Sequence, residues 1–303
     1  MSKSILITGA SGLIGTQLTE LLHEKGHRIA HLSRTRRSGK AQTFLWDINR
    51  KQIDAEALQP ADAIIHLAGE NIGDKSWTKE RKEEILTSRT NSTALLYDAL
   101  KNGNHNVKTF ISASAVGYYN ADSGKAMEEN DKGGNDFLAE VVRQWEQSVD
   151  QISTLGIRVV KLRIGIVLSE KGGALKEMMR PIKYFTGAPL GSGKQFVSWI
   201  HLDDLCLIYL KALEDETLVG PYNAVAPNPV TNKEFTLALA KAMHKPILLP
   251  SVPSFALRLL LGEMADIVLK GAKVSSKKIR ASGFQFKFEN LDDAVKDLLG
   301  NKG

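Results

Sequence analysis

The 303-residue chain holds one cysteine, Cys206, which excludes an intrachain disulfide framework and a cysteine-rich zinc site and suits a reducing compartment. Long apolar runs are also lacking. The most apolar late stretch, Phe255 to Leu269, is interrupted by Arg258, Glu263 and Asp266, and it is too short to cross a bilayer. Met1 to Ser4 runs straight into a strand pattern with no export signal, so a cytoplasmic protein without membrane contact is expected. No cluster of metal-ligating residues stands out. A net charge of +6 raises the question of nucleic acid, but the basic residues are scattered and no nucleic-acid motif accompanies them. An anionic small molecule accounts for the excess more simply.

What is present is ordinary for a folded protein, with 43% hydrophobic and 24% charged residues. Short apolar runs alternate with helix-length amphipathic stretches through the first half, the pattern of repeated βαβ units and a parallel sheet. The spacing predicts strands over Ser4 to Thr8, Arg28 to Ser33, Ala63 to Ala68, Thr109 to Ser114 and Val159 to Ile164. It predicts helices over Leu13 to Lys25, ending at Gly26, Lys79 to Leu100, ending near Gly103, and Gly134 to Leu155, ending at Gly156. Beyond about residue 166 the rhythm gives way to Gly- and Pro-rich loops. The fold expected is α/β, a doubly wound parallel sheet of residues 1–165 with a smaller, irregular substrate-side lobe of residues 166–303. In that lobe a helix from Pro253 through Leu269, an aromatic strand-like segment after Gly283 and a closing helix, Leu291 to Leu299, are expected.

The first strand ends in Thr8-Gly9-Ala10-Ser11-Gly12-Leu13-Ile14-Gly15 and passes directly into a helix, as a pyrophosphate site requires. Gly9 permits a tight turn, Gly12 lets backbone amides approach the pyrophosphate, and Gly15 allows close packing of the helix. Gly9, Ser11, Gly12, Leu13, Ile14 and Gly15 are therefore candidate dinucleotide contacts. An NAD site usually ends its second strand with an acid for the ribose 2′-hydroxyl. Here that strand ends in Ser33-Arg34, followed by Arg36 and Arg37. A hydroxyl and a guanidinium suit a 2′-phosphate instead, so NADP(H) is the cofactor expected. Asp47 stands where a third-strand carboxylate can accept a hydrogen bond from the adenine amino group.

The Thr-Gly-x-x-Gly-x-x-Gly spacing, with His66-Leu67-Ala68-Gly69 closing the fourth strand, resembles the short-chain dehydrogenase/reductase superfamily in its extended, epimerase-like branch. Ser112-Ala113-Ser114-Ala115-Val116-Gly117-Tyr118-Tyr119 is similar to the segment carrying that superfamily's catalytic serine. Arg163-x-Gly165, His201-Leu202-Asp203-Asp204 and Tyr222-Asn223-Ala224 match later motifs. Ala68-Gly69-Glu70-Asn71-Ile72, Trp77, Ser88-Arg89, Trp145-Glu146 and Gly262-Glu263-Met264 resemble a divergent, atypical "epimerase family" known for its fold and NADP(H) binding. The likeness spans essentially the whole chain. It implies that Leu67, Ala68 and Gly69 border the cofactor and that Ser114 contacts substrate or nicotinamide.

Superfamily chemistry uses a Tyr whose pKa is lowered by a Lys four residues on. The corresponding helix puts Phe137 or Leu138 at the tyrosine position and Val141 or Val142 at the lysine position. A phenyl or alkyl side chain exchanges no proton. Tyr118 and Tyr119 are the nearest ionisable alternatives, and either serves equally as a stacking or packing residue. On the long helix, Glu84 and Ser88 share a face, Glu84 is a cofactor candidate, and Arg89 is placed to meet cofactor phosphate. His201 is expected to be a structural hydrogen-bonder, with Asp203 and Asp204 as a helix N-cap. Two functions remain open: an NADP(H)-dependent oxidoreductase or epimerase acting on a small polar, nucleotide-sugar-like substrate, or a catalytically silent NADP(H)-binding sensor or scaffold.

Overall fold

The computed structural model describes residues 2–36, 39, 41–119 and 125–300. Arg37 and Lys40 of the basic run lie outside the described residues. In chain order the strands are β1 (Ser4–Thr8), β2 (Arg28–Ser33), β3 (Gln42–Asp47), β4 (Gln52–Ile53), β5 (Ala63–His66), β6 (Thr109–Ala115), β7 (Arg158–Ile164), β8 (Ile166–Leu168), β9 (Phe196–Val197), β10 (Trp199–His201), β11 (Gly220–Ala224) and β12 (Val230–Thr231). The α-helices are α1 (Leu13–Glu24), α2 (Lys79–Asn102), α3 (Phe137–Asp150), α4 (Ala174–Lys183), α5 (Leu202–Glu214), α6 (Asn232–Ala242), α7 (Ser254–Leu261), α8 (Asp266–Leu269), α9 (Lys277–Ala281) and α10 (Leu291–Leu299).

Among the described residues, eight strands form one sheet in the order β11-β7-β6-β5-β1-β2-β3-β4. Its pairs are parallel except β3 with β4. Strand order reverses between β1 and β5, which makes their carboxyl ends the natural ligand crevice of an open α/β sheet. Alternation along β1 divides the core. Ile5 and Ile7 face α1 and α5, packing with Leu18, Leu22, Leu205 and Ile208, while Leu6 joins Ile64 and Phe110 against Leu95 and Leu96 of α2 and Trp145 of α3. Each such buried side chain contributes about 1.5–3 kcal/mol.

The second half contributes to both parts of the molecule. α5 covers one face of the sheet and β11 extends its edge, whereas α4, α6 and α10 enclose a separate core around Trp199 and Phe235. The two short ribbons, β8 with β10 and β9 with β12, belong to this lobe.

Several boundaries differ from expectation for identifiable reasons. β5 stops at His66: Leu67 N–H divides between Thr8 O at 3.3 Å and Thr8 Oγ1 at 3.1 Å, and Ala68 N–H turns to the same Oγ1 at 3.2 Å. α3 starts at Phe137, three residues late, where Asp136 caps it by accepting from Ala139 N–H. The expected helix from Pro253 to Leu269 is divided at Gly262, whose φ of 58° ends α7. The segment after Gly283 is not a strand: the N–H groups of Lys287 and Phe288 both donate to the Asp204 carboxylate, at 2.8 and 3.0 Å. Asp204 is thus not an N-cap, and neither is Asp203; His201 caps α5, its Nδ1 accepting from Asp203 N–H at 3.1 Å.

Candidate functional site

At the carboxyl ends of β1, β2 and β5 lies a cleft of about 590 Å3, bordered by Gly9 to Gly12, Ser33, Arg34 and Leu67 to Glu70. Its floor is the turn after β1. Gly9 adopts φ +66°, and a Cβ there would stand 2.8 Å from the Leu67 carbonyl carbon. A Cβ on Gly15 would meet Ala10 Cα and Gly9 O at 2.6 Å each, so Gly15 lets α1 press against the turn itself. Gly12 closes the turn, its N–H donating to Gly9 O at 3.0 Å. α1 begins there with no side-chain cap and no acid in its first turn. The first N–H groups of a helix have no intrahelical partner and carry its positive dipole end. Leu13 and Ile14 offer such N–H groups while their side chains pack on the core below. A turn that tolerates no Cβ at Gly9 or Gly15, leading into an uncapped helix, fits a dinucleotide pyrophosphate.

The far end of the cleft holds Arg34 opposite Glu70. Arg34 is exposed and its Nη1 lies 3.7 Å from the Glu70 carboxylate. Asp47 opens onto an adjacent cavity of about 850 Å3 that shares Arg34, Trp46, Ile48, Glu70 and Ser88 with the cleft. Its Oδ1 accepts from Arg50 N–H at 3.0 Å, holding the turn into β4. Glu84 borders that second cavity rather than the cleft, and pairs with Arg81 at 2.7 Å. Arg89 is turned inward. Its Nη2 donates to Glu70 O at 2.9 Å, its Nη1 to Ile85 O at 2.7 Å, and its guanidinium lies over the Trp145 ring. Burial brings its pKa down to about 10. Arg89 therefore fixes the Gly69-Glu70 wall and keeps its charge at neutral pH.

Where β6 and β7 end, a buried polar network replaces the open crevice. Ser114 Oγ donates to Glu146 Oε1 at 2.6 Å. Arg163 donates to both Glu146 oxygens, at 2.8 and 2.9 Å, and through Nη1 to Tyr119 Oη at 2.9 Å and Glu129 O at 3.0 Å. Tyr119 Oη donates in turn to Asn223 Oδ1 at 2.6 Å. Burial works to raise the Glu146 carboxyl, but the Arg163 guanidinium and the Ser114 hydroxyl outweigh it and hold it below the ordinary range. Burial pushes Tyr119 up to about 12. The half-buried Tyr118 lies with its ring face 3.6 Å from the Arg163 guanidinium carbon.

α3 presents Leu138 and Val142 to this region. A Cβ on Gly117 would meet Leu138 Cβ at 3.5 Å and Val142 Cγ2 at 4.0 Å, whereas Phe137 packs edge-on against Trp77 at 5.0 Å. Glu146 follows Val142 by four residues, one turn along the same face. That spacing was legible in the sequence, but nothing there indicated Arg163 of β7 as its partner. The fixing of Glu70 by Ser88, Arg89 and Arg81 likewise has no sequence signal beyond their shared helix.

Residues 5–225 match the NAD dependent epimerase/dehydratase family, and residues 252–298 match a domain of unknown function, DUF1731. The chain is 40% identical over 299 residues to "Epimerase family protein SAR0825" of Staphylococcus aureus (strain MRSA252), covering 98% of this chain and 99% of that one. The crystal structure of the human epimerase family protein SDR39U1 (isoform 2) with NADPH superposes with a TM-score of 0.88 at 32% identity, covering 98% of this chain and 99% of the human one. The nucleoside-diphosphate sugar epimerase of Corynebacterium glutamicum gives 0.82 at 32% identity over 99% of this chain and 59% of its own.

Proposed function

Because the chain belongs to the NAD dependent epimerase/dehydratase family, we propose that it binds NADP(H) and performs oxidoreduction or epimerisation on a small polar, nucleotide-sugar-like substrate held between sheet and C-terminal lobe. The observation that carries the cofactor reading is Arg34 at the rim of the glycine-floored cleft, with Ser33 beside it and no acid at the end of β2. A 2′-phosphate suits a guanidinium and a hydroxyl; a bare ribose diol asks for a carboxylate. The NADPH bound by the human relative supports this choice. The nucleoside-diphosphate sugar named for the Corynebacterium protein supports the substrate class.

Bound NADP(H) supplies hydride exchange, and the chain must then move a proton at the reacting oxygen. Of the three candidates, Ser114 directs its hydrogen to Glu146 and so offers a substrate only lone pairs. Tyr119 is committed to Arg163 and Asn223. We therefore assign proton transfer to Tyr118, with Arg163 behind its ring and Ser114 as an acceptor. Reduced-nicotinamide absorbance followed across a panel of carbonyl compounds and nucleotide sugars tests the activity. Turnover abolished by Tyr118→Phe and retained by Tyr119→Phe is expected.

A second reading is favoured by one observation, the alkyl face of Leu138 and Val142 toward Gly117. In it the protein is a catalytically silent NADP(H)-dependent sensor or scaffold. Tight binding with no turnover across the panel, and partner binding that changes with NADPH, are its signature. In either case we place the protein in the cytoplasm, where Cys206 stays reduced. That thiol is buried, which pushes its pKa up to about 12, and no helix of the described residues is long and apolar enough to cross a membrane.

A further inference from the structure

We propose that Glu70 is a built-in rival of the cofactor's 2′-phosphate for Arg34, and so limits how tightly and how selectively the chain holds NADP(H). The inference rests on the NADP(H) reading above. It starts from one contact: Glu70 Oε1 lies 3.7 Å from Arg34 Nη1 at the mouth of the cleft, and both residues border it. The guanidinium chemically suited to the phosphate thus already faces a carboxylate.

Glu70 is held where it is. Its N–H donates to Ser88 Oγ at 3.1 Å, and its carbonyl accepts from Arg89 Nη2 at 2.9 Å. Its second carboxylate oxygen accepts from Arg81 Nη1 at 3.3 Å. Arg81 is buried and anchored in its turn by Asn71 O at 2.6 Å and by Glu84 at 2.7 Å. Arg34 differs, with 77% of its side chain exposed and free to change partner. When a 2′-phosphate arrives, the exposed Arg34 is the member of the pair that turns to it, while the Glu70 charge stays at the wall. Two penalties follow. The Arg34–Glu70 pair is given up, and a phosphate of up to two negative charges settles beside a fixed carboxylate. A cofactor without the 2′-phosphate meets neither.

The charge of Glu70 therefore acts against NADPH and not against NADH. Replacing it with the isosteric amide keeps both main-chain contacts and leaves Arg81 its Glu84 partner. Exposed ion pairs are weak, so the gain is modest, about three- to tenfold in NADPH affinity. Because the effect is between charges near the surface, it narrows as salt rises.

The test is titration calorimetry of the intact protein, Glu70→Gln, Arg34→Ala and the double variant with NADPH and with NADH, at low and high salt. Thermal melts confirm that each variant is folded. The proposal expects Glu70→Gln to tighten NADPH about three- to tenfold, to leave NADH within about twofold, and to give no gain when Arg34 is already alanine. NADPH affinity that falls in Glu70→Gln would show that Glu70 orients Arg34 for the phosphate, and overturns the proposal. Equal tightening toward both nucleotides also overturns it, since the effect would then belong to the loop and not to the phosphate. The NADP(H) reading fails separately, when the intact protein itself binds the two nucleotides equally.

Discussion

Thr8 Oγ1 and His66 Nδ1 lie 2.8 Å apart beneath the glycine turn, and the groups around them assign every proton. Thr8 Oγ1 accepts from Leu67 N–H and Ala68 N–H, so its own hydrogen goes to His66 Nδ1. On the other side, Ser92 and Thr93 both donate to Arg89 O, at 3.0 and 2.8 Å. Their oxygens therefore accept from His66 Nε2–H, at 3.2 and 3.3 Å. The imidazole is neutral, with its proton on Nε2. It joins β1, the cleft wall at Leu67 to Ala68, and α2 through one ring.

Burial brings the His66 pKa down to about 3 from 6.5, with Arg89 adding to the shift. In the unfolded chain the ring protonates near 6.5, so between pH 6.5 and 3 the unfolded state binds the extra proton. Stability is then complete above pH 6.5 and is lost as pH falls, by up to about 1.4 kcal/mol per pH unit from this group. His27 and His201 are lowered in the same direction by burial, so the His66 share is read as a difference. His66→Asn keeps an acceptor for Thr8 but loses the donor to α2. Urea unfolding at several pH values should show a loss of about 1–3 kcal/mol at pH 7 and a shallower decline toward acid. An unchanged acid slope would sink the assignment of a buried neutral ring.

Gly15→Ala puts a methyl group 2.6 Å from Ala10 Cα and Gly9 O, both backbone, so the turn must shift. Overpacking of this kind costs about 1–3 kcal/mol. Nucleotide affinity should fall by more than tenfold, because displaced amides no longer converge on the pyrophosphate. Fluorescence titration with NADPH reads this directly, and binding at the intact level would refute the cradle.

Glu146→Gln leaves Arg163 charged and buried without its carboxylate, a change that costs about 3–5 kcal/mol. The double variant Glu146→Met/Arg163→Met removes both charges and should be less destabilised than the single one. Chemical denaturation of the two distinguishes these outcomes. A single variant as stable as the intact protein would mean that Ser114, Arg163 and Tyr119 are not held as one network.

The glycine turn and the order of βαβ units were legible because both depend on local patterns: a buried run, a turn without side chains, and a helix. That Ser33 and Arg34 border the cleft was legible too, because they stand at the end of the strand that neighbours β1. The Glu146–Arg163 pair was not, since its partners sit on α3 and β7, and sequence spacing does not report which side chains meet between a helix and the sheet it covers. Asp204 misled for a related reason. Two acids at a helix start favour a cap, but Asp204 turns inward to bind the N–H groups of residues 287 and 288, and no local pattern announces a contact 83 positions away. The tyrosine pair was visible as a motif, whereas the difference between a half-buried Tyr118 and a locked Tyr119 arises only in the packed structure.

The central claim is that Arg34 reads a 2′-phosphate at the mouth of this cleft, and the most direct measurement is the pair of dissociation constants for NADPH and NADH in the intact protein and in Arg34→Ala. A charge-assisted contact contributes about 1.5–3 kcal/mol, so NADPH should bind the intact protein about ten- to a hundredfold more tightly than NADH. Arg34→Ala should remove most of that preference while leaving NADH affinity in place. Equal affinities in the intact protein, or a preference that survives the loss of Arg34, would contradict it.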